Sequence, residues 1–200
     1  MKTYLLAATF CAGLVATWPI AGHAREGAPA VEIFVGGSKL WEHAAGRPDQ
    51  GGGAKVAVTG RLNRSLGWET DVSVIGYLLP SPPAYGDYFR FLAGPHFAYN
   101  AKPHVRPFTH VLVGLTHGRQ FCGSLNPPPD CNIGNWVRSG NAFTAAIGGG
   151  LDVKVFRFCW LRPIQADYVH VFFPRSQENN LQLSFGFTFR FGGSGKAGEH

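Results

Sequence analysis

Residues 181–191 read Leu-Gln-Leu-Ser-Phe-Gly-Phe-Thr-Phe-Arg-Phe, from Leu181 to Phe191. Every odd-numbered position is Leu or Phe, and every even-numbered position is polar or Gly. A period of two is typical of a β-strand that has one apolar face and one polar face. At a rise of about 3.3 Å per residue, a tilted strand of this length crosses the apolar core of a membrane. The segment therefore predicts a strand whose apolar face is covered by lipid or by a protein core.

The same alternation recurs in seven earlier segments, so that the chain predicts an all-β fold of eight strands. These segments are residues 31–40, 55–62, 68–78, 88–99, 105–117, 143–153 and 159–172. The last of them alternates least cleanly, which predicts a β-bulge near Pro163.

The connections between these segments alternate between short and long. The short ones are residues 63–67, 100–104 and 156–158, and the long ones are residues 43–52, 79–86, 118–141 and 174–179. Such alternation is typical of an antiparallel transmembrane barrel with tight turns at one rim and longer loops at the other. With an even number of strands, the first strand would begin and the last strand would end at the same rim, the one with the tight turns.

Composition narrows the class of protein. Charged residues make up 15% of the chain, against roughly 25% in an ordinary globular protein, while Phe numbers 16 and Gly 27. This balance argues against a helical bundle, a coiled coil or a disordered chain. The formal net charge of +6 is scattered along the sequence, whereas nucleic-acid binding needs a concentrated basic face. We expect no nucleic-acid partner.

The first 24 residues have the features of a secretory signal peptide. Lys2 precedes an apolar stretch over residues 4–20, and Gly22 and Ala24 supply the small residues of a cleavage site. A retained membrane anchor is the alternative, although Pro19 and the short apolar stretch favour cleavage. We therefore predict a signal peptide at 1–24, a barrel domain at 25–192 and a flexible tail at 193–200.

The faces of the predicted strands differ in chemistry. One face is apolar and aromatic, whereas the other carries charges that a soluble β-sandwich could not bury unpaired. A secreted lipocalin-like carrier would show the opposite arrangement, with a polar exterior. The predicted inward set comprises Arg61, Glu69, Asp71, Arg90, His96, Arg106, His110, Asp152, Arg162, Asp167 and Arg190.

Eight strands enclose an interior just wide enough for side chains to fill. We expect the inward set to form a network of ion pairs and hydrogen bonds that closes a polar lumen. The alternative is a narrow passage for water, ions or small solutes, opened when the pairs exchange partners. We expect no cofactor, no metal and no catalytic residue, and a structural or adhesive role.

Cys122 and Cys131 both lie in the longest connection, on either side of a run of three prolines. In an oxidising compartment a disulfide between them is the favoured interpretation. Metal binding is the alternative, although no His lies between them. Cys159 is expected to be a small apolar strand residue.

An enzyme that modifies lipids is the other functional class to be tested. It would need a nucleophile and a base near one rim, and His117, Asp130, Ser139 and His170 are the candidates. No His-x-Ser pairing occurs in a strand, which argues against catalysis. The Gly148-Gly149-Gly150 run precedes no helix, so it predicts close packing in the barrel wall rather than phosphate binding. The Trp and Tyr residues near strand ends, among them Tyr88 and Trp160, predict interfacial girdles.

Several segments together resemble the small outer-membrane barrels of the OmpA-like class, including porin-family barrels. They are residues 91–95, 105–108, 148–152, 162–168, 179–181 and 189–191. The resemblance implies a monomer in the outer membrane of a Gram-negative-type bacterium. Its partners would be outer-membrane lipids, periplasmic chaperones and the barrel-insertion machinery. Such barrels usually end on an aromatic residue, whereas here Phe191 is followed by residues 192–200.

Overall fold

The computed structural model describes residues 31–44, 47–80, 83–99, 103–122, 136–173 and 176–192. These residues form eight strands in chain order. The strands are β1 (Val31–Ala44), β2 (Arg47–Arg61), β3 (Leu66–Pro80), β4 (Pro83–Ala98), β5 (Val105–Cys122), β6 (Trp136–Lys154), β7 (Cys159–Phe173) and β8 (Ser176–Phe191). In the described part of the chain, no helix is long and apolar enough to span a membrane.

The sheet closes on itself. Each strand pairs antiparallel with the next, and β1 also pairs antiparallel with β8, from Val31 opposite Phe191 to Glu42 opposite Asn180. Closure leaves no strand with an unpaired edge that another chain could extend. The predicted eight-stranded antiparallel barrel is confirmed.

The two rims of the barrel differ in what they carry. One rim, which we call the terminal end, holds Val31, Phe191 and the connections at residues 62–65, 99–104 and 155–158. The opposite rim, which we call the hairpin end, is formed by the strand ends that flank residues 45–46, 81–82, 123–135 and 174–175. Both ends of the barrel lie beside the connections that were predicted to be tight, as expected. The predicted contrast in length is wrong, because three of the four gaps between strands at the hairpin end are only two residues long.

The predicted long connections are wrong in extent, because strands continue through most of them. The ladder between β1 and β2 runs to Ala44 opposite Arg47, and the ladder between β3 and β4 runs to Pro80 opposite Pro83. Residues 176–179 belong to β8, and β5 and β6 extend to Cys122 and Trp136. Ladder hydrogen bonds join backbone atoms, so glycine- and proline-rich segments that lack an alternating pattern still pair.

The predicted bulge near Pro163 is confirmed. The register between β7 and β8 shifts between Arg162 and Gln165, where Pro163 has no N–H to give to the ladder. A second shift, between Leu151 and Val153 on β6, was not predicted. The shift in β7 places both Arg162 and Gln165 in the interior, although they are three positions apart.

The outward face of the barrel is an apolar belt. Large side chains such as Phe185, Leu115 and Ile147 remain 65%, 59% and 59% exposed. The predicted girdle positions of Tyr88 and Trp160 are wrong, because both are buried in the interior. Tyr88 donates a hydrogen bond to Glu178, and the guanidinium of Arg190 lies 3.7 Å from the ring centre of Trp160.

The predicted signal peptide at 1–24 and the predicted tail at 193–200 lie outside the described residues. So do Cys131 and the side chain of Cys122, and the disulfide between them stays a prediction. Cys159 is a free, buried thiol and is the first residue of β7, directly after the tight connection at residues 155–158.

Candidate functional site in the barrel interior

The barrel interior is filled by side chains. The eleven side chains of the predicted inward set all point into it, and at most 8% of any of them is exposed. The alternation of the strands brings them there, because every second residue of each strand faces inward. The interior divides into a terminal half, which is ionic, and a hairpin half, which is mainly apolar.

An arginine cluster closes the terminal half. The Glu32 carboxylate accepts hydrogen bonds from Arg61 at 3.0 and 3.1 Å and from Arg106 at 2.6 Å, and it lies 3.3 Å from Nε of Arg190. Asp152 accepts two hydrogen bonds from Arg162, at 2.7 and 3.2 Å, and one from Arg190 at 3.2 Å. Arg190 therefore bridges the two carboxylates.

A chain of alternating acidic and basic groups lies next to the arginine cluster. Glu69 lies 3.6 Å from Nε2 of His96 and 3.2 Å from Nδ1 of His110, at ion-pair distance but outside hydrogen-bond geometry. His110 Nε2 lies 2.9 Å from Asp167, whose other oxygen accepts a hydrogen bond from Lys55 at 2.8 Å. Lys55 also lies 2.7 Å from Asp71.

Gln165 connects these two groups of side chains. Its carbonyl oxygen accepts from Arg162 at 2.7 Å, and its amide donates to Asp167 at 2.8 Å. Gln165, Glu32 and Lys55 are interior residues outside the predicted inward set. Glu32 and Lys55 occupy inward positions of the first two predicted strands, so the alternation carried the signal, whereas Gln165 was hidden by the bulge.

Glycines in β6 make room for the ionic half. A Cβ added at Gly148 would lie 2.1 Å from Oδ1 of Asp167, and one added at Gly150 would lie 2.8 Å from the ring of Phe108. That ring stacks under the guanidinium of Arg162 at 4.0 Å and beside His96 with a ring separation of 5.1 Å. The glycine run thus allows close packing against the wall.

The hairpin half is built differently. Two clusters of fully buried apolar residues fill it, and Phe173 packs against both. Their members are Leu92, Leu112, Ala142, Ala146, Val169 and Val171 in one, and Leu40, Ile75 and Tyr88 in the other.

A chain of polar side chains that begins at Arg90 crosses the hairpin half beside the apolar clusters. Arg90 donates to Gln182 at 2.6 Å and to Thr116 at 3.3 Å, and Gln182 donates to Ser38 at 3.1 Å. Ser38 in turn lies 2.8 Å from the hydroxyl of Ser184. Among the Arg and His members of the predicted inward set, Arg90 alone has no described carboxylate within 4.0 Å.

Two candidates for lipid-modifying chemistry, His117 and His170, lie toward the hairpin end. Nδ1 of His117 is 2.6 Å from the amide oxygen of Asn141, and Nδ1 of His170 is 2.7 Å from that of Asn179. Asp130 and the side chain of Ser139 lie outside the described part. The side chains of His117 and His170 are thus held by amides. Within the described ranges, no three His, Cys, Asp or Glu side chains are arranged to hold a metal ion.

The arrangement can close the lumen. Each interior carboxylate of the terminal half lies within 4.0 Å of at least one Arg, Lys or His side chain, and these groups are 1–7% exposed, or 8% for the Arg190 side chain. Buried ion pairs are costly to break, since removal of one partner leaves an uncompensated charge. The contacts thus form a continuous polar plug in the terminal half, next to the apolar clusters and the polar chain of the hairpin half.

No family model and no curated protein sequence matches the chain. Solved structures do resemble it. Neisserial surface protein A matches with a TM-score of 0.65 and 14% identity, covering 83% of this chain and 100% of that one. The attachment invasion locus protein Ail of Yersinia pestis matches with a TM-score of 0.56 and 18% identity, covering 81% and 99%.

The outer membrane protein OprG from Pseudomonas aeruginosa is a third similar structure, with a TM-score of 0.53 and 10% identity, covering 83% of this chain and 97% of that one. At these identities the likeness concerns the fold. The chain has the fold of the small outer-membrane β-barrels, which occurs in adhesion proteins, structural proteins and small channels.

Proposed function

We propose that the protein is inserted in the bacterial outer membrane as a closed barrel and has a structural or adhesive role. The observation that carries this proposal is the filled interior, in which ion pairs and apolar clusters succeed one another along the axis. The apolar belt supports insertion, because side chains such as Phe185 would be unfavourable in water.

Two measurements test this proposal. Electrophoresis with and without heating reports insertion, because a folded barrel migrates differently from its unfolded chain. Planar-bilayer recording reports conductance, and we expect no stable open channel from the wild type. Large, lasting conductance of the wild type would contradict a closed barrel.

A pair of double variants makes the recording specific. Asp152→Asn with Arg162→Gln removes both charges of an interior ion pair, and we expect brief openings from it. Asp87→Asn with Arg119→Gln removes a rim pair that is 28–29% exposed, and we expect it to stay silent. A wild type that conducts as often as the interior variant would show that the ion pairs do not close the lumen.

The adhesive part of the proposal concerns the hairpin end. Strands β5 and β6 reach Cys122 and Trp136, on either side of residues 123–135. Loops carried on a rigid barrel are common binding elements, and two of the similar structures bear names of a surface protein and an attachment protein. We propose that the disulfide between Cys122 and Cys131 shapes this loop.

A complementation experiment separates the two roles. Cells that lack the protein would receive the wild type or a variant without residues 123–135, and detergent sensitivity and attachment to a surface would be measured. We expect the shortened variant to restore detergent resistance but not attachment. Full attachment by the shortened variant would contradict an adhesive loop.

A further inference from the structure

The tight turn at residues 155–158, which joins β6 to β7, has an unusual surface. Val155, Phe156 and Phe158 are 46%, 64% and 58% exposed. Backbone hydrogen bonds from Val155 and Phe156 to Cys159, at 3.2 and 2.9 Å, and from Arg190 to Phe158, at 2.9 Å, fix the turn. The two aromatic side chains are therefore presented by a hydrogen-bonded turn, and more than half of each remains exposed.

Two cationic side chains lie next to these aromatic residues in the chain. Lys154 precedes the turn and Arg157 lies between the two Phe residues, and both are exposed. The neighbouring connection is joined to the turn by a backbone hydrogen bond from Lys154 to His104, at 2.9 Å, and it exposes Tyr99. The described carboxylates of the terminal half, Glu32, Glu69, Asp71, Asp152 and Asp167 among them, are all buried in the interior. The described surface at this turn is therefore apolar and cationic.

We propose that this turn binds anionic phospholipid headgroups of the leaflet at the terminal end, with Phe156 and Phe158 among the acyl chains and with Lys154 and Arg157 on the phosphates. This rests on the proposed insertion in a membrane. The apolar belt runs without interruption from Ile147 on β6 and Ile164 on β7, both exposed, to the turn. The same lipid that covers the belt therefore reaches the two rings.

Charge complementarity selects the headgroup. Cationic side chains near a membrane surface attract anionic lipids, and aromatic side chains favour the headgroup level. A second copy of the chain would bring like charges together at this face, which disfavours self-association there. A zwitterionic headgroup offers a phosphate but also a cation that Lys154 and Arg157 would repel.

Spin-labelled lipids measure this preference. The purified barrel would be reconstituted in phosphatidylcholine vesicles, and the motionally restricted fraction of spin-labelled phosphatidylglycerol would be compared with that of spin-labelled phosphatidylcholine. We expect phosphatidylglycerol to associate several-fold more strongly with the wild type. Lys154→Gln with Arg157→Gln should bring the ratio close to one, and high salt should do the same to the wild type.

Lys39→Gln is the matched control, because Lys39 is an exposed outward cation on β1, away from the turn. We expect it to keep most of the preference. Equal association of the two lipids with the wild type, or an equal loss in Lys39→Gln and in the double variant, would overturn the inference. Heat-modifiable mobility is measured on the same samples, so a failure of insertion is distinguished from insertion without lipid preference.

The aromatic part has its own readout. Phe156→Trp places a fluorophore on the turn, and lipids brominated on the acyl chains should quench the added fluorescence more than aqueous iodide does. Stronger quenching by iodide would show that the ring is in water and would overturn the placement of the turn in the leaflet.

Discussion

The same closed sheet surrounds the terminal half and the hairpin half of the interior, yet side chains of different chemistry fill the two halves. In the terminal half, two carboxylates hold four arginines, and a chain of carboxylates, His and Lys continues from them. In the hairpin half, apolar clusters pack against Phe173. Backbone pairing between the strands determines which side chains point inward, but not which residue types they are. The chemistry of the interior can therefore change along the barrel axis while the backbone of the barrel stays the same.

This difference has an energetic consequence. An ionic network is sensitive to the loss of one member, because the remaining charges stay buried without compensation. An apolar cluster loses contacts in proportion to the volume removed, and a rim pair in water loses little. We therefore expect substitutions to reduce the free energy of unfolding most in the ionic network, less in the apolar clusters and least at the rim pair.

The largest effect is expected for Glu32→Gln, which keeps the shape of the side chain and removes its charge. Arg61, Arg106 and Arg190 would then lie together in the interior without their shared carboxylate. We expect a loss of about 3–5 kcal/mol in the free energy of unfolding, measured by urea titration of the reconstituted barrel.

A double variant tests the cause of that loss. Adding Arg106→Gln to Glu32→Gln removes one of the stranded cations, and it should recover part of the stability. A loss below about 1 kcal/mol for Glu32→Gln, or no recovery in the double variant, would show that the cluster is not an ionic unit.

An intermediate effect is expected for Leu112→Ala in the apolar cluster of the hairpin half. Leu112 is 1% exposed, and its truncation leaves a cavity that its small neighbours Ala142 and Ala146 cannot fill. We expect a loss of about 2–4 kcal/mol in the same titration.

Leu115→Ala is the matched control for Leu112→Ala. Leu115 lies on the same strand, faces outward and is 59% exposed, so that lipid replaces the missing atoms. We expect it to cost clearly less. Equal losses at the two positions would contradict a packed interior in the hairpin half.

The smallest effect is expected for Asp87→Asn at the rim. Arg119 donates two hydrogen bonds of 2.8 Å to Asp87, but the two side chains are 29% and 28% exposed. Water and salt screen such a pair, so we expect a loss below about 1 kcal/mol that shrinks further as salt is added. A loss as large as that of Glu32→Gln would remove the distinction between rim and interior.

The strands were predictable because their side chains alternate strictly, as residues 181–191 show. The lengths of the hairpins could not be predicted, because residues such as Gly51 and Gly52 pair through the backbone and show no alternation of polar and apolar side chains. The bulge at Pro163 was predictable from the missing N–H, whereas the shift near Leu151 had no such signal.

Which interior charges contact one another could not be predicted from the sequence. Alternation places His110 and Asp167 in the interior, but their contact also depends on the tilt and curvature of the strands between them. The same limit applies to Tyr88 and Trp160, whose amphipathic side chains suit an interface as well as an interior with a polar partner. Pairing across a barrel is a property of the closed sheet.

Val31 and Phe191 are register neighbours, and opposed residues of an antiparallel pair lie about 5 Å apart. A linker of a few residues would therefore join the first strand to the last without disturbing any ladder. The fold then depends on the cyclic order of the strands around the barrel and not on the position at which the chain begins and ends. A circular permutant reopened within residues 62–65 would preserve the terminal end, the lumen and the lipid-facing wall alike.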